Sequence, residues 1–292
     1  MIRTWDGIYA GGGWRATPRR FPVTNPATGA VWAEAADADV LAARTAIEAA
    51  QEGFAAWAAL PFTERAHLML KAADAVERRK DDLIEALRAE GGGWIGKGMF
   101  EAGYVAEVFR AAAAATYLPL GEVMPSEHRK LSMAVRRPMG VVTVISPWNF
   151  PALLTSRGFA FPMAAGNAIV LKPSEETPYS GGLFFAELFH EIGAPPGVLN
   201  VVTCGRERVA EVGDELIENP MVKGISFTGS TPVGRMIAAK AGAHLKKVCV
   251  ELGGKDALIV CEDAPLEDAA RIANFGAFMH QGQICMSVEK VL

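Results

Sequence analysis

Two polar side chains follow predicted strands and have types that could act at a carbonyl carbon. Asn149, in the turn SPWNFP, carries an NH2 group that could donate to a developing oxyanion. Its alternative role is to cap the following helix. Glu251, in ELGGKD, precedes Gly253 and Gly254 and could act as a general base. Its alternative role is that of a surface glutamate before a turn.

The third candidate for chemistry is a cysteine. Cys285 follows a small polar turn in GQICMS, which favours an exposed thiol that could act as a nucleophile. Most cysteines are inert hydrophobic residues, and we expect Cys204, Cys249 and Cys261, each in or beside an apolar run, to be of that kind. His280 lies at the end of a predicted helix, where we expect a surface histidine and not a partner of the thiol.

Two further turns favour a dinucleotide. Lys172 and Glu175 follow the apolar run AIVLK, and a carboxylate at such a strand end can accept hydrogen bonds from a ribose while repelling a 2′-phosphate. The alternative is an exposed, solvated pair. In TGSTPVGR, Gly229 allows close approach, Thr231 is a predicted N-cap, and Pro232 suits the first helical turn. Such a helix N-terminus suits a pyrophosphate, although a routine tight turn explains the same residues.

These turns belong to an alternation of strands and helices that begins near Met139. Short apolar runs predict buried strands, with helices between most of them. The pattern is typical of a Rossmann-type, doubly wound parallel α/β sheet, in which ligands bind outside the carboxyl ends of the strands. The predicted strands are 141–145, 168–172, 198–202, 224–227, 248–250 and 257–260, and the predicted helices are 150–163, 178–192, 206–217 and 232–240.

The first third of the chain is predicted to be helical. Apolar residues from Val40 to Trp57 recur at helical spacing. Thr63 is the predicted N-cap of a second run that ends at the glycines 91–93, and a third helix is predicted over 98–117. Residues 122–138 alternate weakly between apolar and polar types and predict an extended, exposed arm.

The composition excludes several classes of protein. A net charge of −4 and a pI near 5.8 over 292 residues argue against a nucleic-acid partner. The longest nearly apolar stretch, 158–171, is too short to cross a membrane. Cysteines without CxxC spacing and histidines without ligand spacing predict no metal. Because the N-terminus lacks a signal-peptide core, we expect a cytoplasmic protein with reduced thiols.

Five blocks, in this order, resemble a known family. PWNFP, GNAIVLKPSEETP, FTGSTPVG, ELGGKD and GQICMS are similar to the signature blocks of the NAD(P)-dependent aldehyde dehydrogenase superfamily. The resemblance covers essentially the whole chain and implies an aldehyde-dehydrogenase-like α/β fold. It matches Cys285 to the nucleophile, Asn149 and the Cys285 N–H to the oxyanion donors, and Glu251 to the base that hydrolyses a thioester. The residues it matches to NAD binding, with NADP less favoured, are Ile145, Trp148, Lys172, Ser174, Glu175, Gly229, Ser230, Gly234 and Leu252.

The resemblance also suggests a substrate class. The segments GGWIGKGMFEAGYVAEVFRAAAAATY and MHQGQICMS resemble the branch that oxidises aromatic aldehydes such as benzaldehyde, salicylaldehyde or vanillin. Phe150 and Arg157 are the expected substrate contacts, and a guanidinium there could meet a ring substituent or stack on the ring. The alternative for Arg157 is a charge on the helix surface.

The resemblance divides the chain into four parts. They are a helical part of the cofactor domain (1–121), an oligomerisation arm (122–139), a Rossmann-like NAD-binding part (140–250) and the beginning of the catalytic domain (251–292). Family members continue beyond this point and form homodimers or homotetramers. We therefore expect a C-terminally truncated sequence, which alone should be inactive and prone to aggregate.

Three functions remain open at this stage. The first is oxidation of an aldehyde, of the aromatic class, to the carboxylic acid with NAD through a thiohemiacetal and thioester on the cysteine, when the protein is full-length. The second is a non-catalytic NAD-binding fragment. The third is a CoA-acylating aldehyde dehydrogenase, against which the presence of Glu251 argues.

Overall fold

The computed structural model describes residues 2–127 and 129–292. These residues form strands and helices that alternate along much of the chain. The strands are β1 (Arg3–Thr4), β2 (Gly7–Ala10), β3 (Gly13–Ala16), β4 (Arg20–Thr24), β5 (Val31–Ala36), β6 (Gly121–Met124), β7 (Ser132–Val135), β8 (Val141–Ile145), β9 (Ala168–Lys172), β10 (Leu199–Val201), β11 (Val222–Thr228), β12 (Lys247–Glu251), β13 (Asp256–Leu258) and β14 (Val288–Val291). The α-helices are α1 (Val40–Ala59), α2 (Phe62–Arg78), α3 (Lys80–Gly91), α4 (Ile95–Ala115), α5 (Pro151–Ala164), α6 (Phe184–Glu191), α7 (Val209–Glu218), α8 (Thr231–Ala243) and α9 (Leu266–Phe278). A π-helical turn (Tyr179–Leu183) precedes α6, a 3-10 turn occupies Arg206–Arg208, and an irregular turn occupies Met279–Gly282.

The largest sheet has the strand order β12-β11-β8-β9-β10-β2-β3. Neighbours from β12 to β10 are parallel, whereas β2 and β3 join as antiparallel strands. The order reverses between β8 and β11, where Ile145 lies opposite Phe227. The predicted doubly wound sheet is therefore confirmed, and its crevice lies at the carboxyl ends of β8 and β11.

Two predicted strands lie in surroundings that the sequence did not indicate. β12 is an exposed edge strand, and Cys249 within it is exposed, so the predictions of a buried strand and a core cysteine were wrong. β13 pairs with β14 outside the large sheet, and Cys261 beyond it is also exposed. An apolar run suits an edge strand as well as a central one. Cys204 is buried as predicted, and burial raises the pKa of its thiol.

The prediction of a helical first third was wrong for residues 3–36, which contain β1 to β5. β2 and β3 form a hairpin whose turn residues, Gly11 and Gly12, have φ values of 65° and 83°. Two consecutive left-handed residues are what a two-residue hairpin turn requires, so this glycine pair was a usable signal. β1, β5 and β4 form a separate three-stranded sheet.

The helices before the large sheet differ from the prediction at their ends. The second predicted run is two helices, α2 and α3, which meet at Arg79. Pro61, and not Thr63, occupies the N-cap of α2. Gly92 follows α3 with a φ of 60°, the left-handed conformation with which glycine ends many helices.

The predicted arm contains an antiparallel hairpin of β6 and β7. Every residue of these two strands is exposed, as the weak alternation indicated. His128, which belongs to the predicted arm, lies outside the described residues.

An aromatic cluster fixes α5 to its neighbours. Phe109 on α4, Phe159 on α5, and Phe185 and Phe189 on α6 are wholly buried, with ring centroids of contacting pairs 5.2–6.2 Å apart. Such tilted and edge-to-face pairs add to the stabilisation from area burial. The turn that precedes α5 is thus held by a rigid helix.

A close backbone contact between α1 and the turn before β10 generates a stability prediction. A Cβ added at Gly53 would lie 2.5 Å from the carbonyl oxygen of Pro196, so we expect Gly53→Ala to destabilise the fold by about 1–3 kcal/mol. Gly213→Ala, in α7, adds a Cβ that meets no atom within 4 Å. It should be neutral or stabilise by up to about 1 kcal/mol. Free energies of unfolding in urea measure both, and equal effects would contradict the packing argument.

Candidate active site

Asn149 lies in the turn that joins β8 to α5. Its Nδ2 donates to the backbone carbonyl of Gln283 (2.9 Å), and its Oδ1 accepts from the Phe150 N–H (2.9 Å). The side chain therefore makes no cap on the first turn of α5. Its amide is fixed by two contacts and keeps one N–H for a further acceptor. The contact with Gln283 brings this turn beside the segment that carries Cys285.

Cys285 is half-buried in a wall shared by two cavities. One, of about 510 Å³, is called the apolar cavity, and its lining includes Trp94, Phe100, Phe150 and Phe275. The other, of about 530 Å³, is called the polar cavity, and its lining includes Thr228, Glu251, Gly254 and Asp256. A thiol in this position can be reached by an apolar molecule from one side and by a polar group from the other.

Arg157, in the second turn of α5, lies at the border of both cavities. Its side chain is exposed and has no ion pair or hydrogen bond with any residue of 2–127 or 129–292. Phe150 is buried, and its ring packs edge-on against Phe100 with centroids 6.5 Å apart. The structure thus brings both sequence-predicted substrate residues to the apolar cavity.

Glu251 ends β12 and is exposed towards the polar cavity. Its backbone carbonyl accepts from the Gly229 N–H (3.0 Å), which ties the turn after β11 to the end of β12. Gly254, just beyond, lies beside Cys285, since an added Cβ would be in van der Waals contact with the Cys285 carbonyl oxygen at 3.4 Å. The carboxylate and the thiol therefore line one space.

The start of α8 suits an anion. Ser230, and not Thr231, is the N-cap, and its side chain makes no capping hydrogen bond. The amides of the first turn therefore keep their capacity to bind an anion. Gly234 packs so closely on Leu252 that an added Cβ would lie 2.3 Å from Cδ2. Trp148, after β8, is exposed near the same crevice.

Lys172 and Glu175 do not form the solvated pair that was the alternative. Lys172 is buried, and its Nζ donates to the Pro173 carbonyl (3.0 Å). Glu175 is half-buried, and its nearest cation is the exposed Arg206, at 3.8 Å. Ser174, between them, is half-buried. A strand-end carboxylate held in this way can accept hydrogen bonds from ribose hydroxyls.

His280 is not a surface histidine, so that prediction was wrong. It is 1% exposed, and neither ring nitrogen has a hydrogen-bond partner among the described residues. Its ring packs against Phe150 and Trp148, with centroids 5.7 and 6.4 Å away. The chain leaves the helical geometry of α9 at Met279, and a left-handed backbone at His280 (φ 49°) turns the ring inward. The apolar run before it, which suggested a helix end, could not show that turn.

A buried ion pair beside the apolar cavity was missed by sequence reasoning. Lys97 and Glu101, one turn apart on α4, are both wholly buried and paired. The spacing of a lysine and a glutamate at i and i+4 usually marks an exposed helix face. The available signal was the small residue on each side of the lysine, Gly96 and Gly98, which leaves room for close packing.

Within residues 2–127 and 129–292, no cluster of His, Cys, Asp or Glu side chains could hold a metal ion. Nor does any helix in that part of the chain combine the length and the apolar character needed to span a membrane. The candidate site therefore consists of Cys285, Asn149 and Glu251 at the crevice of the doubly wound sheet, with two cavities and a helix N-terminus around them.

The fold is that of a known family. The sequence profile of the aldehyde dehydrogenase family matches residues 14–292, and the chain belongs to that family. The resemblance in its sequence blocks is thereby confirmed.

Individual relatives carry the names of aromatic-aldehyde enzymes. The chain is 42% identical over 277 residues to a vanillin dehydrogenase of Pseudomonas fluorescens, covering 94% of this chain and 57% of the relative. It is 43% identical over 248 residues to a benzaldehyde dehydrogenase [NAD(+)] of Pseudomonas putida, covering 85% and 50%. The crystal structure of a salicylaldehyde dehydrogenase from Pseudomonas putida G7 with salicylaldehyde matches with a TM-score of 0.95 and 37% identity, covering 100% and 60%. The chain thus spans about half to three fifths of the length of these proteins.

The buried His280 predicts a pH-dependent stability. Burial, and secondarily the charge of Lys97, lower its pKa from 6.5 to about 4. Between these values the unfolded chain binds the proton more readily, so the His280 contribution to stability falls as pH decreases through this window. His280→Phe keeps a ring and removes the titration, so its free energy of unfolding minus that of the wild type should grow as pH falls from about 7 to about 4.5.

Urea unfolding of both proteins at each pH measures this difference. Strain caused by phenylalanine in a left-handed backbone does not depend on pH and cancels in the comparison between pH values. A difference that stays constant across the window would contradict the lowered pKa.

Proposed function

We propose that the protein oxidises an aldehyde to the carboxylic acid with NAD, and that aromatic aldehydes are its preferred class. The observation that carries the proposal is the position of Cys285 between an apolar cavity suited to a ring and a polar cavity that contains Glu251. The names of the vanillin, benzaldehyde and salicylaldehyde dehydrogenases that resemble it agree with this class.

The first step is attack of the Cys285 thiolate on the aldehyde carbon, which forms a C–S bond and turns the carbonyl oxygen into an oxyanion. The remaining N–H of the Asn149 amide and the backbone N–H of Cys285 donate to that oxygen. NAD, when bound, supplies the hydride acceptor. As the oxyanion collapses to a carbonyl, the C–H bond of the former aldehyde carbon breaks, its hydrogen would leave as hydride to that acceptor, and an acyl thioester remains on Cys285.

The second step releases the acid. Glu251, across the polar cavity from the thioester, takes a proton from water as the water attacks the acyl carbon. The C–S bond breaks and the thiolate of Cys285 leaves. A carboxylate that faces the thioester favours hydrolysis over transfer of the acyl group to CoA, because CoA carries its own nucleophilic thiol.

Three features support NAD as the cofactor. The uncapped N-terminus of α8 would hold the pyrophosphate, with the approach of Gly234 to Leu252 shaping the turn. Lys172 and Glu175 would hold the adenosine ribose, where the carboxylate disfavours the added phosphate of NADP. Ile145 and Trp148 follow β8 at the edge of the same crevice.

We also propose that the protein acts in the cytoplasm as a homodimer or homotetramer. The hairpin of β6 and β7 supports assembly, because its exposed strands include apolar side chains such as Val123 and Met133. Exposed strand edges with apolar faces pair readily with another chain.

The proposal predicts a substrate order. The purified protein should form NADH and free acid from benzaldehyde and hydroxylated benzaldehydes without added CoA. We expect kcat/KM for these aldehydes to exceed that for linear aliphatic aldehydes by about tenfold or more, because the apolar cavity has aromatic walls. Steady-state NADH formation and product analysis measure this.

Two separate cysteine variants test the mechanism, one at Cys285 and one as its control. Cys285→Ala should abolish turnover, whereas Cys261→Ala, at an exposed position outside both cavities, should retain it. Equal or better use of aliphatic aldehydes would contradict the aromatic class. Turnover by Cys285→Ala would contradict the mechanism.

Cofactor preference gives a second prediction. Glu175→Gln keeps the shape of the side chain but removes the charge that would repel a 2′-phosphate. The ratio of kcat/KM for NADP to that for NAD should therefore rise about tenfold. Glu176→Gln, at an exposed neighbouring position, is the matched control and should leave the ratio unchanged. An unchanged ratio in Glu175→Gln would contradict binding of the adenosine ribose at Glu175.

A further inference from the structure

The buried ion pair on α4 requires an explanation beyond stability. Lys97 and Glu101 are both wholly buried, and placing two charges away from water costs several kcal/mol in desolvation that the pairing only partly repays. An apolar pair of similar size would serve a core at least as well. The contacts that each side chain makes outside the pair indicate what the charges do.

The carboxylate of Glu101 caps a different helix. Its Oε1 accepts from the Leu153 N–H (3.0 Å) in the first turn of α5. That helix has no side-chain cap of its own at Phe150, and Pro151 has no N–H to offer. Glu101 therefore supplies, from α4, the hydrogen bond that an N-cap residue usually supplies. The residue immediately before this N-cap position is Asn149.

The ammonium group of Lys97 contacts the ring of Phe150. Its Nζ lies 4.5 Å from the centroid of the Phe150 ring, within the range of a cation–π interaction. Another neighbour of that ring is His280, which meets it at an interplanar angle of 80°. His280 is neutral near pH 7 because burial and the Lys97 charge lower its pKa. The lysine thus holds Phe150, and Phe150 holds His280.

His280 begins a strained turn that leads to the thiol. His280, Gln281 and Gly282 have φ values of 49°, 55° and 74°. Two of the three are not glycine, and such residues persist in the left-handed region only where their surroundings hold them. The next residue, Gln283, accepts the hydrogen bond from Asn149, and Cys285 follows two residues later.

We propose that the Lys97–Glu101 pair is a positioning device that sets Asn149 and Cys285 relative to each other. Glu101 fixes the start of α5 and hence Asn149, while Lys97 fixes the left-handed turn through Phe150 and His280. The effect of this device on catalysis rests on the proposed function. The contacts by which the pair positions Asn149 and Cys285 do not.

The decisive variant removes both charges at similar volume. Glu101→Leu alone leaves Lys97 unpaired in the core, so the test uses the double variant Lys97→Met/Glu101→Leu, which removes both charges and the acceptor of the Leu153 N–H. Asp37→Asn is the control, because Asp37 is also a buried carboxylate that accepts a backbone N–H, from Gly205, and faces arginines. Phe150→Leu breaks the link between Lys97 and His280 without touching either charge.

Two readouts need no turnover. Hydrogen–deuterium exchange of the segment 279–287 should become roughly tenfold faster in the double variant and in Phe150→Leu, because that turn loses its support. Alkylation of Cys285 by iodoacetamide, resolved by peptide mass spectrometry, should change by about threefold or more, while that of the exposed Cys249 should not. Asp37→Asn should change neither.

Kinetics provide the third readout. With benzaldehyde, kcat of the double variant should fall by about tenfold or more while KM for NAD stays within about twofold, because the oxyanion donor and nucleophile are misplaced but the cofactor site is not. Wild-type exchange and alkylation in both the double variant and Phe150→Leu would overturn the proposal. A wild type that oxidises no aldehyde would overturn the proposed function, and exchange and alkylation would still decide whether the pair positions the turn.

Discussion

The reversal of strand order between β8 and β11 is the constraint on which the candidate site depends. All strands from β12 to β10 point their carboxyl ends to one edge, so the turns that follow them meet there whatever their separation in sequence. Ile145 lies opposite Phe227, and Thr228 opposite Glu251. Asn149, the turn before α8 and the Glu251 carboxylate are therefore neighbours because of the strand order of the sheet.

The thiol reaches this edge by a different route. Cys285 does not belong to the large sheet, and it arrives after α9 through an irregular turn. Its place is set by the hydrogen bond between Asn149 and Gln283 and by the position of Gly254 beside its carbonyl. The sheet fixes three parts of the site through strand register, whereas the fourth depends on side-chain packing. Displacement of that turn would separate the Cys285 thiol from the other three parts.

The same division explains what the sequence could predict. Regular apolar runs predicted the bounds of β8 and β9 to the residue, and Asn149, Lys172 and Glu175 are candidates because they follow the ends of those strands. The sequence of a strand does not show whether the strand lies at the centre or at the edge of its sheet, so the exposure of Cys249 in an edge strand could not be predicted. The burial of His280 could not be predicted either, because it follows from a left-handed backbone and not from a periodic pattern.

Cys285 lies in the wall between two cavities, and the segment before it packs against the protein on its other side. Met279 and Ile284 pack against the hydrophobic core on either side of the turn before Cys285, and the turn has further support through the buried His280. The support consists of rings and charges: His280 against Phe150, and Phe150 against Lys97. An apolar side chain at Lys97 could fill the volume, but only a cation gives the Phe150 ring an electrostatic contact, and only an anion at Glu101 both neutralises it and accepts from α5. The two charges are costly to desolvate, but they fix the positions of the residues on the open face of the site.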